Sequence, residues 1–159
     1  NNATKMGFIQ WNGGSEVETM TLLPTGYIGI GITNPTSYNL QVSGTIGATG
    51  DITAFYSDER LKTKLGIIEN ALEKVCSLTG FYHEANELAQ TLGYRPIREV
   101  GVSAQEVYKV LPEITAPAPI NDHYLTVDYA KMVPLLIEAI KELKDEVESL
   151  RNQINANTN

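Results

Sequence analysis

The run Val133-Pro134-Leu135-Leu136-Ile137-Glu138-Ala139-Ile140-Lys141-Glu142-Leu143-Lys144-Asp145-Glu146-Val147-Glu148-Ser149-Leu150-Arg151-Asn152-Gln153-Ile154 decides the C-terminal half of the fold by spacing alone. Val133, Ile140, Val147 and Ile154 recur every seven residues, and Leu136, Leu143 and Leu150 follow the first three of them by three. This spacing keeps one apolar seam of an α-helix facing a partner helix, which predicts a coiled-coil-like helix over residues 129–155. Lys141, Glu142, Lys144, Asp145, Glu146 and Glu148 read as its solvated face. A helix packed solely on its own domain is the plainer alternative, and three successive heptads weigh toward association. β-Branched residues at the first seam position with leucine at the second lean toward two strands, so the seam alone leaves the number of chains open.

Working back from this helix, Asp128 stands where an N-cap is needed. Tyr124 to Val127 reads as a strand after an Asn121-Asp122 turn and a proline-rich stretch, Ala116 to Pro119. Ser103-Ala104-Gln105-Glu106 has the form of a capping box, predicting a short helix to Leu111 that Pro112 ends. Glu99 to Val102 and Thr79 to Glu84 read as strands, with Asn86 to Pro96 a loop or hairpin between them. Leu61, Leu65, Ile68, Leu72 and Val75 recur at steps of four and three, which predicts one amphipathic helix from Asp58 onward despite Gly66.

The first third has a different composition. Of 12 Lys and Arg and 19 Asp and Glu in 159 residues, residues 1–56 hold only Lys5 and three acids, together with nine of the 13 glycines. Gly7 to Trp11, a turn at Asn12-Gly13-Gly14 and Val17 to Leu23 read as a hairpin. In Tyr27-Ile28-Gly29-Ile30-Gly31-Ile32 the isoleucines share one strand face and the glycines the other, permitting close backbone approach. So few bulky apolar residues make a marginal core, so neighbouring chains are expected to complete it; a piece of a larger β domain is the plainer alternative.

The net charge of -7 argues against a phosphate-neutralising nucleic-acid surface. No apolar run reaches the roughly 18 residues of a membrane span. A single cysteine, Cys76, allows no intrachain disulfide and is expected to be a small buried hydrophobe, and with two histidines it gives no zinc pattern. Neither metal nor cofactor is expected. The start at Asn1-Asn2-Ala3, without methionine, reads as the tail of something longer.

The two compositions meet at Asp51-Ile52-Thr53-Ala54-Phe55-Tyr56-Ser57-Asp58-Glu59-Arg60-Leu61-Lys62. By local chemistry Ser57 or Asp58 is an N-cap. The run Ser57-Asp58-Glu59-Arg60-Leu61-Lys62 also resembles the S-D-x-R-x-K signature of the C-terminal intramolecular chaperones of phage tail fibres, tailspikes and endosialidases, the S74 peptidase family. Gly101-Val102-Ser103-Ala104-Gln105-Glu106-Val107, Val110-Leu111-Pro112-Glu113 and Val127-Asp128-Tyr129 leading into the final helix are similar to further segments of that family, in the same order. Gly29 to Pro35 with Leu40 to Gly44 resembles the glycine-rich fibre segments that precede such domains.

The resemblance implies an α+β fold: a short β-rich, intertwined trimeric fibre stub over 1–56, then a mixed chaperone domain over 57–159, divided into 57–128 and the trimerising helix. It implies a homotrimer in a virion tail fibre or spike, continuous with upstream fibre domains and facing a host cell-surface receptor, with the chaperone absent from the mature particle. It further implies self-cleavage of the Tyr56–Ser57 bond by a Ser/Lys pair, Ser57 as nucleophile and Lys62 as base, with Asp58 and Arg60 supporting the motif. A serine hydroxyl needs a base to take its proton, and a lysine serves when burial removes its charge. Five residues on a regular helix do not bring Ser57 and Lys62 together, so Ser57 should precede the helix, whose free N–H groups could face the Tyr56 carbonyl. Ester formation and direct attack by water both remain open.

Lys64 is the competing base, with a solvent-facing role the plainer reading. His83 and His123 read as strand residues without a catalytic role. Two rivals stand beside the chaperone: a non-cleaving trimerisation and receptor-binding tip, and a carbohydrate-active enzyme using Glu16, Glu18 or Asp51, for which no pocket signature surrounds the acids.

Overall fold

The computed structural model describes residues 4–52 and 56–157; Asn1 to Ala3, the Thr53 to Phe55 part of the junction and the last two residues lie outside it. The chain is α+β and packs as two units that divide between Lys62 and Thr63.

The first unit is a four-stranded sheet, β1 (Met6–Asn12), β2 (Ser15–Leu22), β3 (Ile28–Ile30) and β4 (Leu40–Val42), in that spatial order. The first two pairs are antiparallel and β3–β4 is parallel. The expected hairpin forms, with Asn12 pairing Ser15 and the turn made by Gly13 and Gly14 at φ 59° and 100°. Positive φ at both turn positions matches the twist of the flanking strands and favours glycine. The isoleucine stripe is shorter than expected: Gly31 turns the chain at φ 67°, so Ile32 leaves the strand. Gly29 allows the close approach predicted, because a Cβ there would run into the carbonyl oxygen of Ile32. Among the described residues the buried side chains of this unit include Thr21, Gln41 and, in the loop before β4, Pro35 rather than large apolar groups, while Phe8, Ile9 and Trp11 are exposed, Trp11 by 72%. Burying such surface is the main source of folding free energy, so this sheet draws little from its own interior.

The second unit runs through α1 (Ala71–Cys76), β5 (Gly80–His83), α2 (Glu87–Thr91), β6 (Glu99–Val102), α3 (Ala104–Val110), a 3-10 turn at Pro112–Ile114, β7 (Thr115–Ala118), β8 (Asn121–Val127), a 3-10 turn at Tyr129–Lys131, and α4 (Met132–Asn157). β5 pairs with β6 and β7 with β8, both antiparallel. The core joins α1 to the first turns of α4: Ala71, Leu135 and Ala139 are buried, with Ile68, Leu72, Val75 and Leu111 packed around them.

Four local expectations change. The helix predicted from Asp58 through Val75 does not form: a 3-10 turn at Glu59–Leu61 is followed by a segment without regular secondary structure, with helix at Ala71–Cys76 alone. Lys62 leaves the turn in extended conformation and Gly66 sits at φ 155°, which no helix contains. Leu65 is accordingly 96% exposed. The Asn86–Pro96 loop contains a helical turn, α2, capped by the Asn86 side chain on the Ala89 amide. The proline-rich stretch forms strand β7, with Pro117 next to a register shift, where a missing N–H is tolerated. Cys76, expected to be buried, is exposed at the end of α1.

Ser103 caps α3 through the Glu106 amide at 3.3 Å, as expected, but Glu106 does not close the box; its carboxylate accepts from the Thr79 amide at 3.0 Å and ties α3 to β5's entrance. Asp128 caps the 3-10 turn leading into α4. The cap of α1 comes from afar. Asn70 provides no side-chain cap, and the Glu142 carboxylate on α4 instead accepts from the amides of Ala71 at 2.9 Å and Leu72 at 2.7 Å.

These bonds, the one from Leu72 first and that from Ala71 second, hold the Glu142 carboxyl below its ordinary value of 4.5, with Lys74 adding attraction. A carboxyl depressed on folding stabilises the fold above its unfolded pKa, and that contribution disappears as pH falls through the lower folded value. Glu142→Ala should therefore lower the melting temperature at pH 7 more than Lys144→Ala does. Glu142→Gln should keep part of the cap and flatten the acid side of a melting-temperature profile run from pH 7 to 3. An unchanged profile in the glutamine variant would show that the α1–α4 tie is not ionic.

Candidate functional site

The junction motif lies wholly in the first unit. Asp58 shapes it: its Oδ1 accepts from the Arg60 amide at 2.9 Å, and both carboxylate oxygens hold the Arg60 guanidinium, at 2.6 to 3.2 Å. The Arg60 side chain, and then its amide, lower the Asp58 carboxyl below its ordinary range, and Asp58 in turn raises Arg60. Both groups face water, so the pair fixes geometry more than it adds stability. Two backbone bonds close the turn, from the Leu61 amide to the Asp58 carbonyl at 3.1 Å and from the Lys62 amide to the Glu59 carbonyl at 3.0 Å.

Ser57 lies immediately before this 3-10 turn rather than before the helix expected there, and Asp58 is the N-cap. Lys62 leaves the turn and its Nζ reaches back to 5.9 Å from the centre of the Tyr56 ring. Ser57, Tyr56 and Lys62 are all exposed. The expected free helical N–H groups are not supplied by Arg60, Leu61 or Lys62, since each of those amides already has an acceptor within the turn. Lys64 lies in the irregular segment that follows the turn.

The other candidates are placed as follows. Glu18 accepts from Lys5 Nζ at 2.7 Å and from the Thr21 hydroxyl at 2.9 Å, which lower its carboxyl. A glycosidase's general acid needs the opposite shift, so Glu18 does not suit that role. His83 sits in β5 with its ring edge-on to Phe81 at 6.0 Å. His123 neighbours Asp122 in β8. No helix among the described residues is long and apolar enough to cross a membrane.

The seven seam residues lie along α4, and Val133, Leu136, Ile140, Leu143, Val147, Leu150 and Ile154 are all exposed, Ile140 by 66%. Leu135, about 100° around the helix from Leu136, is fully buried against the core. One stripe of α4 thus belongs to its own unit, and a second, longer stripe is uncovered.

Residues 57–115 match the family model for the chaperone of endosialidase, Peptidase_S74. The match begins at the motif serine and takes in the Gly101–Val107 and Val110–Glu113 segments. The chain is also similar to the long tail fiber protein Gp37 of Enterobacteria phage M1, 34% identical over 102 residues, and of phage Ox2, 35% over 99 residues. Gp37 of phage T2 is 36% identical over 101 residues. These alignments cover 60 to 62% of this chain but 39% of the M1 protein, 38% of the Ox2 protein and 7% of the T2 protein, so the chain spans well under half of these relatives. Sequence reasoning missed the Glu142 cap and the Tyr56–Lys62 contact. For neither did residue spacing alone give a signal.

Proposed function

We propose that the chain is the end of a phage tail fibre joined to its intramolecular chaperone. Residues 1–56 are the last part of the mature fibre, and residues 57–159 bring three copies together in register and then separate by self-cleavage at Tyr56–Ser57. The observation that carries this reading is the uncovered seven-residue seam of α4, on a helix whose other apolar stripe is already buried. The chaperone-family match and the tail-fibre relatives point the same way. Strands that intertwine between chains make mostly nonlocal contacts and nucleate slowly. A domain that associates first raises their effective concentration.

In the cleavage step Lys62 takes the proton of the Ser57 hydroxyl as the hydroxyl oxygen bonds to the Tyr56 carbonyl carbon. The Tyr56–Ser57 C–N bond breaks with the Ser57 nitrogen taking up a proton, and water then hydrolyses the resulting Tyr56–Ser57 ester, giving the Tyr56 carboxylate and restoring the Ser57 hydroxyl. A lysine works as a base when shielded from water, and Lys62 is exposed in the single chain. Association supplies that shielding and the donors for the oxyanion, which couples release to assembly. Mass spectrometry of freshly made protein, with sedimentation of the same sample, is the test: pieces of 56 and 103 residues with trimer present are expected. A trimer that stays intact over days would leave the chain as a non-cleaving fibre tip.

A further inference from the structure

The way the base is held adds a specificity element to the cleavage reading, on which this inference rests. Lys62 is separated from Tyr56 by one tight turn whose shape is fixed by the Asp58–Arg60 contacts and by the Lys62 amide on the Glu59 carbonyl. The turn returns the Lys62 ammonium to the ring of the residue that forms the acyl side of the scissile bond. Tyr56 is 65% exposed and is no part of a core, so its contact with Lys62 is not forced by packing.

We propose that Tyr56 is a positioning residue: its ring face keeps the Lys62 side chain beside the bond to be cut, so self-cleavage selects an aromatic residue immediately before Ser57. A lysine side chain otherwise samples many rotamers and spends much of its time in water. Correct placement of reacting groups contributes orders of magnitude to a rate, and holding the Lys62 side chain beside the bond supplies that placement. The bonds made and broken are those of the cleavage step above, and the ring takes no part in them.

The test measures the first-order cleavage rate of the full chain with tyrosine, phenylalanine or leucine at position 56. Tyr56→Phe should cut within about twofold of the parent, and Tyr56→Leu about tenfold or more slowly. Sedimentation and melting of uncut Ser57→Ala chains with tyrosine or leucine at 56 should coincide, which a structural role would not allow. In the same Ser57→Ala background, the Lys62 ε-methylene NMR signal should carry a ring-current shift that leucine removes and phenylalanine keeps. Equal rates for tyrosine and leucine, or absence of that shift, would overturn the positioning role while leaving cleavage standing. A rate that falls equally for phenylalanine and leucine would move the role to the hydroxyl. No cutting in the parent chain would remove the cleavage reading itself, and this inference with it.

Discussion

Ser57→Ala and Lys62→Ala each keep the chain at 159 residues where the parent separates into pieces of 56 and 103. The alanine at 57 deletes the hydroxyl that attacks. The alanine at 62 deletes the group that accepts its proton, a loss expected to slow the step by about 10² to 10⁴. Both side chains face water in the single chain, so neither substitution opens a cavity there, and neither residue belongs to the α4 seam, so sedimentation should find both variants associated like the parent. Lys64→Ala should cut at the parental rate. If Lys62→Ala still cuts while Lys64→Ala does not, the base has been misassigned. If both alanine variants at 57 and 62 cut fully, the serine–lysine mechanism is wrong for this chain.

What the sequence revealed follows from how far apart the deciding residues lie. The first hairpin was legible because paired glycines at a turn and alternating strands are short-range signals, and the glycine positions carry the positive φ the turn requires. The helix α4 was legible because its period repeats over three heptads, and the helix forms along that whole stretch. The same kind of periodicity misled between Asp58 and Val75. There, an aspartate two residues from an arginine bends the chain into a single 3-10 turn, and an irregular segment through Gly66 follows; the apolar spacing survives only where Ile68, Leu72 and Val75 meet the core. Local side-chain hydrogen bonds of this sort compete directly with helix. Glu142 reads as surface charge in a one-dimensional pattern because its partners, Ala71 and Leu72, are some 70 positions away. The motif residues were legible by resemblance, yet the contact between Tyr56 and Lys62 depends on how the turn folds.

Ile140→Asp should abolish association while leaving each chain folded. Ile140 is the third of the seven seam residues and is 66% exposed in the single chain, so a carboxylate there is solvated until partners arrive. In a three-chain bundle the same position brings three carboxylates to one apolar layer, each losing water with no cation to replace it. At about 3 kcal/mol per chain for such an unpaired buried charge, the trimer would weaken by about six powers of ten. Leu135→Asp is the contrasting variant. It lies on the neighbouring stripe, fully buried between α1 and α4, and should unfold the unit rather than merely separate the chains. Sedimentation and circular dichroism together distinguish the two failures, a folded monomer in the first case and lost helix in the second. An Ile140→Asp chain that remains associated at micromolar concentration would remove the seam from assembly. If it assembles and cuts normally, the shielding proposed for Lys62 would have to come from contacts elsewhere in the fibre end. If it stays monomeric and uncut, assembly and cleavage fail together, as expected when the chains must meet before the Tyr56–Ser57 bond can break.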